Sequence, residues 1–123
     1  MATEAASRPW PTELKLNKAK DTLEIIFDSG ERFPLAAEYL RVNTQSAEVK
    51  GHGGGPRFTV AGKRHVKIAA IESIGNYAVR IVFDDGHDTG LYSWEYLYEL
   101  GSERDAKWAA YLEELAAQGL TRD

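Results

Sequence analysis

Three histidines, a run of aspartates and a glycine-rich loop are the residues of this chain whose types and spacing could do chemistry. His87 lies between Asp84-Asp85-Gly86 and Asp88, and a histidine beside carboxylates can act as a base or a metal ligand. A metal centre needs three or four converging ligands, and aspartate–glycine runs are also what a tight turn prefers. His87 is therefore expected to serve structure or interaction, and it alone is kept as a metal candidate. His52 sits in Gly51-His52-Gly53-Gly54-Gly55-Pro56, whose amides could form an anion-binding nest or a plain solvated loop. Gly62-Lys63 is followed by Arg64, and no glycine lies five residues before Gly62, so this is not a Walker A loop. Ser73 and Ser93 sit in no Gly-x-Ser-x-Gly turn. No catalytic residue is assigned, and the chain is expected not to be an enzyme.

From Val49 to Ile71 there is no acidic residue, while Lys50, Arg57, Lys63, Arg64 and Lys67 fall there with His52 and His65. Such a stretch could attract phosphates or an acidic protein surface. It carries one aromatic residue, Phe58, and so lacks the stacking platform of a single-strand binder. A solvated basic face is the expected reading, with nucleic acid through Lys63, Arg64 and Lys67 as the less favoured one.

Composition narrows the field further. With 123 residues, one domain is the default. The absence of cysteine excludes disulfides, thiolate-held zinc, cysteine-held clusters and a cysteine nucleophile from this chain. A net charge of −4 argues against nucleic-acid binding by the whole surface. No apolar run is long enough to span a membrane and no signal peptide is evident, so a cytoplasmic location is expected.

The elements that must position these residues follow from periodicity. Residues 1–11 read as a tail, with Trp10 docking on the domain. Leu14 and Leu16, then Leu23, Ile25 and Phe27, alternate with polar neighbours on either side of Asn17-Lys18-Ala19-Lys20-Asp21, which predicts a hairpin. Asp28-Ser29-Gly30 predicts a turn, Glu31–Leu35 a third strand whose Pro34 marks an edge, and Ala36–Arg41 a short helix. Val66 and Ile68 begin a further strand; Gly75-Asn76 turns it into Tyr77–Phe83; His87–Tyr92 follows as a short strand. Ser93 is placed to cap a helix carrying Trp94, Leu97 and Leu100, with Gly101 as its stop. Ser102 with Asp105 is expected to cap the last helix, whose Trp108, Tyr111, Leu112 and Leu115 share a face and which Gly119 ends.

An internal repeat organises these elements. Leu23–Gly30 aligns with Val79–Gly86 at an offset of 56 residues, Leu35 with Leu91, and, after one inserted residue, Glu38-Tyr39-Leu40 with Glu95-Tyr96-Leu97. Two units are too few for a solenoid. The expected fold is α+β: a mainly antiparallel sheet built from two related hairpin–turn–strand–helix halves, with a C-terminal helix packed on it.

Leu40-Arg41-Val42-Asn43, Ser46–His52, Gly75-Asn76-Tyr77-Ala78 and Phe83–Tyr92 together resemble the gamma-butyrobetaine hydroxylase-like N-terminal domain family, over about residues 12–101. The remainder, 102–123, is the C-terminal amphipathic helix of the same domain. The resemblance implies small stand-alone bacterial members without established activity, and the same domain joined to nucleotide-binding iron–sulfur scaffold proteins. In the hydroxylases it implies a zinc site of three cysteines and one histidine ahead of a separate catalytic domain. In gap-free register that histidine is His87, and the cysteine positions fall on Thr44, Ser46 and Val49, none of them a thiolate. The zinc site and the hydroxylase activity are therefore expected to be absent, and no cofactor is assigned.

The expectation is a non-enzymatic accessory or interaction module with an unidentified protein partner and a link to iron–sulfur protein maturation. Its contact residues would be Arg41, Glu48, His52, His87 and Trp94, with the loop Glu48–Gly55 at the centre. The alternative is a small metal- or ligand-binding protein using His52, His87 and Asp85.

Overall fold

The computed structural model describes residues 9–44, 59–87 and 90–123. Glu48 and His52, with the whole of the glycine loop, lie outside the described residues, as do Asp88 and Thr89.

The chain runs β1 (Pro11–Leu16), β2 (Thr22–Phe27), β3 (Arg32–Ala36), α1 (Ala37–Val42), β4 (Ile68–Ile74), β5 (Ala78–Phe83), β6 (Gly90–Ser93), α2 (Trp94–Ser102) and α3 (Arg104–Ala117). The fold is α+β with antiparallel strands, as the periodicity predicts. Each half keeps its own three-stranded sheet, ordered β1-β2-β3 and β4-β5-β6, rather than joining one continuous ladder. Strict alternation in β2 buries Leu23, Ile25 and Phe27, and β5 buries Val79, Ile81 and Phe83. These six share one core with Leu35, Tyr39 and Leu40 from the first half and Tyr92, Leu97 and Leu100 from the second.

The two halves repeat in detail. Both first strands bulge at the same place, between Pro11 and Glu13 and between Ile68 and Ala70. Gly30 and Gly86 close their turns at φ of +93° and +92°, where only glycine is unstrained. The Phe27 amide donates to Glu31 O at 2.9 Å, and that of Phe83 to His87 O at 2.9 Å. Leu23 faces Leu35 across one ladder and Val79 faces Tyr92 across the other. The structural counterpart of Leu35 is thus Tyr92, and the exposed Leu91 corresponds to Pro34; the inserted residue lies before β6 rather than after it.

The contact between halves is reciprocal. Tyr39 of α1 donates its hydroxyl to Leu100 O, 2.6 Å away near the end of α2. Tyr96, its counterpart on α2, donates to Asn43 O just beyond α1. Asn43 and Leu100 are themselves counterparts, so residue i meets j and j meets i, the pattern of an isologous dimer interface within one chain.

Three local expectations are corrected. Gly101 does not stop α2; it lies inside the helix, and it is a glycine because a Cβ there would overlap the Phe33 ring of β3. Ser102 does not cap α3; it closes α2 and donates to Glu99 O at 3.4 Å. Leu112 is exposed, whereas Tyr111 and Leu115 are buried against Val42. Ser93 caps α2 as expected, accepting the Tyr96 amide at 3.1 Å. Trp10 does dock, ring against Trp94 at 6.5 Å, but remains half exposed.

Candidate functional site

Asp85 organises the polar centre of the molecule. It sits in the tight turn between β5 and β6, where its Oδ1 accepts the His87 amide at 3.0 Å. Its Oδ2 takes two cations: Arg41 Nε from the end of α1 at 2.9 Å, and Lys63 Nζ at 2.6 Å. The three side chains are only 12%, 22% and 19% exposed for Arg41, Lys63 and Asp85. Burial pushes the Asp85 carboxyl upward, but Lys63, the His87 amide and Arg41 outweigh it and hold its pKa at about 2. Asp85 is therefore an anion throughout the physiological range, not a general base.

His87 turns its ring toward Thr44, with Nε2 and Oγ1 3.4 Å apart. Thr44 is almost fully buried. It fits there because Gly90 opposite has no side chain: a Cβ on Gly90 would come within 2.8 Å of the Thr44 hydroxyl and 3.0 Å of the Tyr92 ring. Tyr92 is fully buried beside Gly90 and donates to Leu40 O at 2.5 Å; burial pushes its phenol far above the usual range. Next to this group lies a shallow pocket of about 300 Å³, lined by Lys63, His65, Asp84, Asp85 and Arg122 among others.

The predicted residues separate into three sets. Arg41 and His87 meet through Asp85. Trp94 is engaged elsewhere, with its indole N–H on Asn76 O at 2.9 Å and its ring against Trp10. Glu48 and His52 lie outside the described residues. Of the basic trio proposed for nucleic acid, Lys63 is bound to Asp85 and Arg64 to Asp123, while the backbone of Lys67 exchanges bonds with Asp84. Two of the three positive charges are thus held in ion pairs, and that of Lys67 is in none among the described residues.

Two contacts were not foreseen in the sequence: that of Lys63, named there only as a nucleic-acid candidate, with Asp85, and that of Glu38 with Arg122. Lys63 belongs to the site only through folding, since nothing local marks it as a partner of a residue 22 positions away. Glu38 is buried and held bidentately by Arg122, at 2.8 and 2.7 Å, with the guanidinium over the Trp108 ring. Nothing local marks Glu38 as buried, because its partner Arg122 lies 84 positions away.

The residue set does not fit zinc. Thr44, which takes a cysteine position of the resembling family, meets His87 through a hydroxyl. Among the described residues no three histidine, aspartate or glutamate side chains converge as a metal site would require.

A family model described as gamma-butyrobetaine hydroxylase-like, N-terminal, matches residues 14–98. The chain belongs to that family. A protein solved by NMR in solution is 44% identical, with a TM-score of 0.82, over 95% of this chain and 92% of that one. A second solution structure is 49% identical, with a TM-score of 0.80, over 95% of this chain and 87% of its own. The third is the crystal structure of a protein of unknown function from Acidithiobacillus ferrooxidans, placed in the DUF971 family. It is 33% identical with a TM-score of 0.62, over 76% of this chain and 93% of that one. No curated protein matches the sequence.

Proposed function

We propose that this family member is a non-enzymatic interaction module, working in the cytoplasm, whose partner protein docks at Arg41, Lys63, Asp85 and His87. One observation carries the reading. In the other half of the molecule the same fold positions are filled differently: Tyr98 stands for Arg41, Ser29 for Asp85, Glu31 for His87, Phe33 for Gly90 and Gly101 for Thr44. There Phe33 packs over Gly101 and against Phe27 and Tyr98. The fold is therefore complete with an aromatic plug at this position. A half-buried cluster of two cations and a carboxylate must offset the loss of hydration of each group, so it is a poor substitute for that plug on stability grounds alone. Local departures of this kind concentrate at functional sites.

The partner is proposed to belong to iron–sulfur protein maturation, a link that rests on the joining of this domain to iron–sulfur scaffold proteins in the family. No zinc is proposed to take part. The test is quantitative co-purification from native lysate with wild type, R41E, H87A and, as a control on the far sheet, R32E. A protein set retained by wild type and R32E but lost with R41E is expected. Equal recovery with wild type and R41E overturns the docking site. A reproducible set without iron–sulfur proteins removes the maturation link and leaves the docking site standing.

A further inference from the structure

Lys63 stands on a stretch, 59–67, that forms neither helix nor strand. Its ammonium is nevertheless fixed on Asp85 Oδ2 at 2.6 Å, with the side chain only 22% exposed. Ordering a lysine costs rotamer entropy, so the backbone that carries it has to be held from elsewhere.

The hold comes from α3 and from residues 119–123 beyond it. The Gly62 amide donates to Thr121 O at 3.0 Å and the Arg64 amide to Arg122 O at 2.9 Å, so two backbone bonds bracket Lys63. The side chains of Arg64 and Asp123 close an ion pair beside them. Further up the stretch, Tyr111 donates its hydroxyl to Val60 O at 2.6 Å, and Gln118 its amide to the Thr59 hydroxyl at 2.7 Å.

Residues 119–123 are themselves outside any helix or strand, and Arg122 is their anchor. Its guanidinium lies 5.2 Å from the centre of the Trp108 ring and grips the buried Glu38 carboxylate with two bonds, which fixes direction as well as distance. Glu38 opens α1, and Arg41, one turn later on the same short helix, bonds the same Asp85 oxygen as Lys63. The result is a closed ring. α1 holds Asp85 directly through Arg41, and indirectly through Glu38, Arg122 and the backbone that carries Lys63. The equivalent of Glu38 in the other half is Glu95, which is exposed. The fold thus does not require this glutamate position to be covered, and burying a carboxylate is costly unless it is paired.

We propose that residues 119–123 are a clasp in which Arg122 is a positioning residue: seated on Glu38, it sets Lys63 against Asp85, and the docking site is assembled only while the clasp is closed. The consequence for docking rests on the reading proposed above; the geometry of the clasp does not.

The test is NMR of the full chain at neutral pH, reading the Lys63 Nζ and Asp85 Cγ signals and the NOE between the two side chains. K63M supplies the Asp85 signal of a site without its lysine. R122Q weakens the anchor. E38M/R122M removes it without leaving a buried charge unpaired, the kind of exchange that folded proteins tolerate. Amide signals of β2 and β5 report that each variant is folded. Both anchor variants are expected to lose the NOE and to move the Asp85 signal at least half of the way to its K63M position. A folded chain carrying either variant, with Lys63 and Asp85 signals matching wild type, overturns the proposal. Co-purification from native lysate separates the two readings. Loss of the partner set with R122Q as with R41E supports the clasp's role in docking. Retention with R122Q but loss with R41E overturns that role and leaves the docking site standing. Retention with both, alongside a displaced Lys63, sinks the docking site and leaves the clasp.

Discussion

The two halves share a backbone plan and differ in what fills one equivalent position. In the first, Phe33 lies over Gly101, and Tyr98 donates to Glu31 at 2.7 Å beside Ser29 at 2.8 Å. In the second, Gly90 clears room for Thr44, and Arg41 reaches Asp85 beside His87. Even the turn bond is conserved in kind: the Glu31 amide donates to the Ser29 hydroxyl, the His87 amide to the Asp85 carboxylate. The first half shows what the fold requires, and the second shows what has been added to it. Exchanging an aromatic plug for charged and hydroxyl groups costs packing, and the proposed docking role is what would offset that cost.

The largest effect expected from testing this comparison is at the glycine under the plug. Gly101→Ala should destabilise by about 3 kcal/mol in denaturant unfolding, because overpacking against Phe33 outweighs the ~1 kcal/mol gain in helix propensity. Gly90→Ala in the other half should cost less, about 1–2 kcal/mol, since a threonine hydroxyl yields more readily than a ring. A neutral Gly101→Ala would remove the distinction between plugged and open positions.

Next come the reciprocal tyrosines. Tyr39→Phe leaves the buried Leu100 carbonyl without its donor and should cost ~2 kcal/mol. Tyr96→Phe, at a less buried site, should cost ~1 kcal/mol. A double mutant whose loss departs from the sum would measure coupling across the contact between halves.

Acid unfolding should separate the two turns. The Asp85 pKa of about 2 lies below the ordinary aspartate value near ~3.9, so the unfolded chain binds a proton first as pH falls. The stabilisation is present above pH ~4 and is lost between about pH 4 and pH 2, at most ~2 kcal/mol. Asp85→Asn should flatten that part of the pH profile. Glu31 is also held below its ordinary value, by Tyr98 and then Ser29, but it is solvent-exposed, and Glu31→Gln should leave the profile close to that of wild type. The smallest effect on stability is expected from His87→Ala, within ~1 kcal/mol, with its consequence read in partner recovery instead.

The repeat was legible because core strands announce themselves by alternation: Leu23-Ile25-Phe27 and Val79-Ile81-Phe83 carry the same period and end in the same Phe-Asp-x-Gly turn. The Ser93 cap and the turn glycines were legible for a similar reason, as each acts on backbone within a few residues. Gly101 misled, because a helix-ending glycine and a glycine that admits a distant ring look alike in one dimension. Leu91 misled too: the single inserted residue could be placed on either side of β6 until the ladder showed Tyr92 facing Val79.

The site divides along the same line. Sequence alone determined the class of fold, its two-part construction, the family, and the candidacy of Arg41 and His87, because these rest on local periodicity and contiguous motifs. Only the tertiary structure decided that Asp85 draws in Lys63 as well as Arg41, that Thr44 meets His87, that Arg122 covers Glu38, and that Trp94 belongs with Trp10 rather than with His87. Those are contacts between segments far apart in the chain. Charge and ring identity state what a side chain can bond to, but folding chooses among the many partners that qualify.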